Sequence, residues 1–131
     1  MRVMIDTNIL VSALLFPNKR MDALIYRITT KHSLVLSSYV INELLEVTKR
    51  KFKDKVDVVD TLLSQIPYEL VYTPLNLPTD VFDIRDKKDY PVLYSAVAES
   101  IDVFITGDKD FDDVEIEKPE ILTVSEFLEN Y

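Results

Sequence analysis

Five short apolar runs constrain this chain more than any other feature: Arg2–Ile5, Leu34–Leu36, Leu70–Tyr72, Asp102–Thr106 and Ile121–Thr123. Their apolar residues are consecutive rather than alternating, which is the pattern of strands covered on both faces. The sequence between them is helical in its spacing, as at Leu24, Ile25 and Ile28. Helices are predicted over Asn8–Leu15, Arg20–Thr30, Tyr39–Phe52, Val56–Gln65, from Asp89-Tyr90-Pro91 to Glu99, and over Ser125–Glu129. Pro17-Asn18 separates the first two, Ser37-Ser38 offers N-caps for the third, and Thr123 with Glu126 fits a capping box. The stretch from Thr73 to Asp89, with Pro74 and Pro78, shows no clear period and is read as irregular. Strands and helices in alternation predict an α/β fold, a three-layer α/β/α sandwich on a mostly parallel sheet. The 131 residues, without a repeat or a convincing linker, read as a single domain over residues 1–131.

Composition then removes whole classes of chemistry. There is no cysteine, so disulfide scaffolds, thiolate zinc sites and cysteine nucleophiles are excluded. The only histidine is His32, which leaves little for a Ser/His/Asp triad or a multi-histidine metal site. The only glycine is Gly107, so neither a dinucleotide fingerprint nor a P-loop can be built. Gly107 lies between the fourth strand and Asp108, where a sharp turn would call for a backbone angle closed to other residues. No segment approaches the roughly 18 apolar residues of a membrane span. The N-terminus runs straight into a strand without the layout of a signal peptide, so a cytoplasmic location is expected.

What remains is carboxylate chemistry, and the charge is unevenly placed. The net charge is −8. Residues 1–79 carry ten basic and eight acidic residues, whereas residues 80–131 carry five basic and fifteen acidic ones. An acidic pole of this kind either serves solubility or attracts divalent cations.

Parallel α/β sheets place ligands at the carboxyl ends of their strands, which turns the acids into a site map. Asp6 directly follows Val3-Met4-Ile5, as a helix cap or as a site residue at the sheet edge. Asp108 repeats the arrangement after Val103-Phe104-Ile105-Thr106-Gly107, so the two converge if their strands are neighbours. Glu43 interrupts a partly apolar helical stripe between Val40 and Val47, while Glu46 shares a face with Asn42, Lys49 and Arg50 and reads as a solvated ion-pair residue. Asp89, before Tyr90-Pro91, fits either an N-cap or a further site acid, with Asp86 its alternative and Asp83 a weaker one. Four carboxylates without histidine or thiolate form a hard oxygen site suited to Mg²⁺ or Mn²⁺. Metal-assisted hydrolysis of a phosphodiester follows from such a set, and a phosphomonoester is equally compatible with the spacing.

Ile5-Asp6-Thr7-Asn8-Ile9-Leu10, Glu43-Leu44 and Ile105-Thr106-Gly107-Asp108-Lys109-Asp110-Phe111, in this order and at these separations, resemble the PIN domain family, in particular the toxin components of toxin–antitoxin pairs. The resemblance implies a metal-dependent endoribonuclease, with Mg²⁺ or Mn²⁺ as cofactor. It places the catalytic, metal-holding acids at Asp6, Glu43, Asp89 and Asp108, with Asp86 in reserve for Asp89. Asn8 and Thr106 match positions that support the site by hydrogen bonding, and Asp110 an outer position. It also implies RNA as substrate, a small antitoxin as partner, and a homodimer.

For the RNA itself, Lys49, Arg50, Lys51, Lys53 and Lys55 form the densest basic run, opposed by Asp54. They read as phosphate contacts or as a solvated helix end. Lys19, Arg20, Arg27 and Lys31 are further basic residues of the same half, and Tyr90 and Tyr94 are candidates for base stacking or for packing. Two rival readings are a catalytically inactive PIN-like partner-binding domain and a Mg²⁺-dependent phosphatase on another α/β fold. The second is weakened by Asn8, where aspartyl-phosphate enzymes carry their second aspartate.

Overall fold

The computed structural model describes residues 1–131. Strands β1 (Arg2–Ile5), β2 (Ser33–Ser37), β3 (Glu69–Val71), β4 (Val103–Ile105) and β5 (Glu120–Leu122) form one sheet in the order β3-β2-β1-β4-β5. All four pairings are parallel. Helices α1 (Thr7–Leu15), α2 (Lys19–Lys31), α3 (Ser38–Lys51), α4 (Val56–Gln65), α5 (Tyr90–Ala98) and α6 (Val124–Asn130) connect and follow them. Val3, Met4 and Ile5 are all fully buried, as are Phe104 and Ile105. Successive strand residues point to opposite faces, so both faces of the sheet are covered and the architecture has three layers. The predicted fold class holds, and the strand ends differ from the sequence reading by a residue or two.

The local chemistry explains the helix starts. Asn18 accepts from Met21 N–H, Ser37 accepts from Val40 N–H, and Thr123 with Glu126 closes a full capping box. Three short 3-10 turns, Lys53–Lys55, Lys87–Asp89 and Lys109–Phe111, join the larger elements. The irregular stretch before α5 is tied down at three places. Thr73 N–H donates to Ser38 Oγ at 2.9 Å, Phe82 is buried and stacks on Tyr90 at 4.6 Å, and Tyr90 Oη donates to the Pro78 carbonyl.

Topology fixes where a ligand can go. From β1 the chain steps outward through β2 to β3, then returns across the sheet to β4 on the other side of β1. The crevice between the carboxyl ends of β1 and β4 is therefore the switch point of the sheet.

Candidate active site

Asp6 and Asp108 stand at that switch point. Ile5 pairs with Ile105, and Asp6 N–H continues the ladder to the Ile105 carbonyl at 3.0 Å. Asp6 is buried, with one carboxylate oxygen accepting from Thr7 N–H at 2.8 Å and the other from Thr106 Oγ at 2.9 Å. Thr106 Oγ accepts in turn from Asp108 N–H at 3.0 Å, so a single buried hydroxyl sets both strand-end acids. Asp108 also accepts from Asp110 N–H at 2.9 Å, which shapes the turn Lys109–Phe111. The capping reading of Asp6 holds, and the same side chain faces Asp108 across Thr106.

Glu43 reaches the crevice from the middle of α3. Its Oε1 accepts from Thr7 Oγ1 at 2.6 Å. Thr7 is a residue the sequence reading passed over in favour of Asn8, although its hydroxyl directly follows the first acid. Asn8 is exposed and takes no part in the hydrogen bonds that hold the carboxylates, because it lies on the solvent side of α1. The hydrogen bond to Glu43 is made by Thr7.

Asp89 enters from the turn before α5. It holds the N-cap position of α5, but its backbone is already helical at φ −82°, ψ −13° and its side chain makes no capping bond. Pro91 in the first turn starts the helix without it. One carboxylate oxygen each from Asp86, Asp89 and Asp110 lies within 4.8 Å of the others, so Asp86 stands beside Asp89 at the same crevice. Arg85 ties the two loops together, with ion pairs to Asp113 at 2.5 Å and to Asp110 at 3.7 Å. Tyr39 completes the rim: its hydroxyl donates to the Lys88 carbonyl at 3.4 Å.

The electrostatics follow from this crowding. Burial pushes the Asp6 and Glu43 carboxyls up, with Asp108 adding to the first and Asp6 and Glu46 to the second. Burial, then repulsion from Asp108, Asp6, Asp86 and Asp110, pushes the Asp89 carboxyl up to about 7. One Asp89 oxygen is buried without any hydrogen-bond partner. An orphaned anionic oxygen inside a cluster of hard oxygen donors is what a divalent cation requires, so these residues fit such an ion.

Other expected residues lie elsewhere. Lys49, Arg50, Lys51 and Lys53 sit at and beyond the far end of α3, with Arg50 about 10 Å of helix rise past Glu43. Arg50 pairs with Glu46, and Lys55 caps α1 at the Leu15 carbonyl beside the Phe16 ring. Arg20 and Arg27 bind α6 through Ser125 and Leu128. Tyr90 is stacked between Phe82 and Tyr94 and anchors the preceding loop, so packing accounts for it. Gly107 has no positive φ, and a Cβ there would meet nothing within 4 Å. The expected backbone requirement is absent because the side chains of Thr106 and Asp108 make the turn.

A family model described as PIN domain matches residues 2–110. No curated protein sequence matches the chain significantly. Among solved structures, the chain is similar to the crystal structure of VapBC2 from Rickettsia felis bound to a DNA fragment from their promoter, with a TM-score of 0.71. That likeness covers 94% of this chain and 98% of the other at 20% identity, and so speaks to the fold. With its sheet order, its strand-end acids and a family match over most of its length, the chain belongs to the PIN domain family.

Proposed function

We propose that this protein is a metal-dependent endoribonuclease and the toxin component of a toxin–antitoxin pair. The observation that carries the reading is that Asp6 and Asp108 lie beside Asp89, and Glu43 beside Asp6, while one buried Asp89 oxygen has no protein partner. These four acids would hold Mg²⁺ or Mn²⁺, with Asp86 and Asp110 beside them. A cation bound there supplies charge neutralisation at the phosphate and a water of lowered pKa. The chain's own contribution is orientation. Thr106 fixes Asp6 and the Asp108 backbone, Thr7 fixes Glu43, and Arg85 holds the Asp86–Asp89 loop against the Asp110 turn. Preorganised donors of this kind need no rearrangement when the substrate arrives. The structural likeness to a chain of VapBC2 supports a small antitoxin partner.

The test is cleavage of labelled RNA pools with Mn²⁺, with a chelator, and by an Asp6→Asn variant. The wild type cleaves only with the cation, and Asp6→Asn abolishes cleavage while the circular dichroism spectrum stays native. Equal cleavage by the two proteins in Mn²⁺ would overturn the assignment. A folded wild type that binds Mn²⁺ and cleaves nothing would favour the inactive partner-binding reading.

A further inference from the structure

Residues 80–131 hold only five basic side chains among fifteen acids, and four of those five lie in the two loops that carry Asp86, Asp89, Asp108 and Asp110. Arg85 is paired with Asp110 and Asp113, and Lys118, away from the crevice, is paired with Asp102 at 2.9 Å. Lys87, Lys88 and Lys109 are exposed and form no ion pair, although acids surround them. Lys87 and Lys88 belong to the turn that ends at Asp89, and Lys109 stands between Asp108 and Asp110. The two turns meet where the oxygens of Asp86, Asp89 and Asp110 come within 4.8 Å. Both backbones are fixed: Lys88 N–H donates to Asp86 at 2.9 Å, its carbonyl accepts from Tyr39 Oη, and the Lys109 turn is set by Asp108.

We propose that Lys87, Lys88 and Lys109 form the phosphate grip of the substrate strand, flanking the scissile position on both loops. The inference rests on the ribonuclease reading above. A polyanion approaching a half-chain of net negative charge needs local cations beside the acids, and unpaired lysines on ordered turns provide them at no cost in broken ion pairs. The denser run from Lys49 to Lys53 points away down α3 and is not needed for this contact.

The experiment measures binding of a short fluorescein-labelled single-stranded RNA of mixed sequence, by anisotropy across a salt series, in an Asp6→Asn background with Mn²⁺. Replacing all three lysines by alanine weakens binding roughly tenfold or more at low salt and flattens the slope of log K against log salt by about 2. Replacing them by arginine keeps the slope. Alanines at Lys49, Arg50, Lys51 and Lys53 change it less than the rim variant does. An unchanged slope in the rim variant, or a larger change in the α3 variant, overturns the grip. A fall in Mn²⁺ affinity by calorimetry alongside the lost RNA binding also overturns it, since the lysines would then act through the cation site. Cleavage of the same RNA by the wild type reports separately on the nuclease reading. Absent cleavage with a rim-dependent slope overturns the nuclease reading and, with it, the scissile placement of the grip, leaving the three lysines as a phosphate contact for bound RNA.

Discussion

Both oxygens of Asp6 are committed to hydrogen bonds from Thr7 and Thr106 before any ligand arrives, and Glu43 is held by the Thr7 hydroxyl. A buried carboxylate that is fixed in this way keeps free lone pairs in a defined direction, and partners behind a ligand commonly matter 10–100-fold. Thr7→Val removes the hydroxyl at nearly constant volume. It should weaken Mn²⁺ binding and RNA cleavage by roughly 10–100-fold with the melting profile intact, and Thr7→Ser should restore both. Calorimetry with Mn²⁺ checks this, and unchanged affinity in the valine variant would show that Glu43 needs no such orientation. Thr7 was legible in principle, because a hydroxyl beside a strand-end acid can serve no apolar core. Its partner was not, since Glu43 lies 36 residues away. The lone histidine shows the same limit in reverse. His32 packs edge-on against Phe127 at 5.7 Å, just before the amino end of β2, and has no part in the crevice at the carboxyl ends.

At the scale of elements, the strands and helices were written locally. Consecutive apolar residues mark β1, β2 and β4, and the caps at Asn18, Ser37 and Thr123 are readable from residue type alone. Turns obey finer rules. α5 ends in a Schellman arrangement, with Ile101 N–H on the Ala96 carbonyl and Ser100 N–H on the Val97 carbonyl. Ser100 there takes φ 53°, a position that favours glycine, while the actual glycine at 107 has no positive φ. Exchanging the two demands therefore stabilises the chain. Ser100→Gly should raise unfolding stability by about 1 kcal/mol, and Gly107→Ala should leave it unchanged or raise it by about 0.4–1 kcal/mol. Urea unfolding measures both, and a loss of stability in Gly107→Ala would show that the site turn does require glycine.

For the whole molecule the acids act as one charged body. The Asp89 carboxyl, raised by burial and by its neighbours from 3.8 to about 7, is held protonated more tightly in the folded chain than in the unfolded one. Such a group stabilises the fold at low pH, and that contribution is lost as pH rises from about 4 to about 7. Asp6 and Glu43 shift in the same direction. The metal-free protein should therefore melt at progressively lower temperature across that window, and Asp89→Asn should flatten the decline. Mn²⁺ competes with the same protons, so its stabilising effect should grow with pH. Thermal melts from pH 4 to 8, with chelator and with Mn²⁺, test the sign, and a melting temperature that rises with pH in chelator would contradict it.

The amino-acid sequence by itself determined the α/β class, the strand-end positions of Asp6 and Asp108, and the excess of acids over bases after residue 80, because each is a matter of local pattern or composition. Tertiary structure alone decided which acids share a crevice. β4 lies beside β1 rather than beyond β3, which brings Thr106 to Asp6 across 100 residues and the Lys87–Asp89 turn to Asp110. Strand order is set by how layers pack, and no window of residues carries it. The same packing separated two sets of lysines that look alike in sequence. It left those of α3 at the far end of their helix, and set Lys87, Lys88 and Lys109 against the carboxylates.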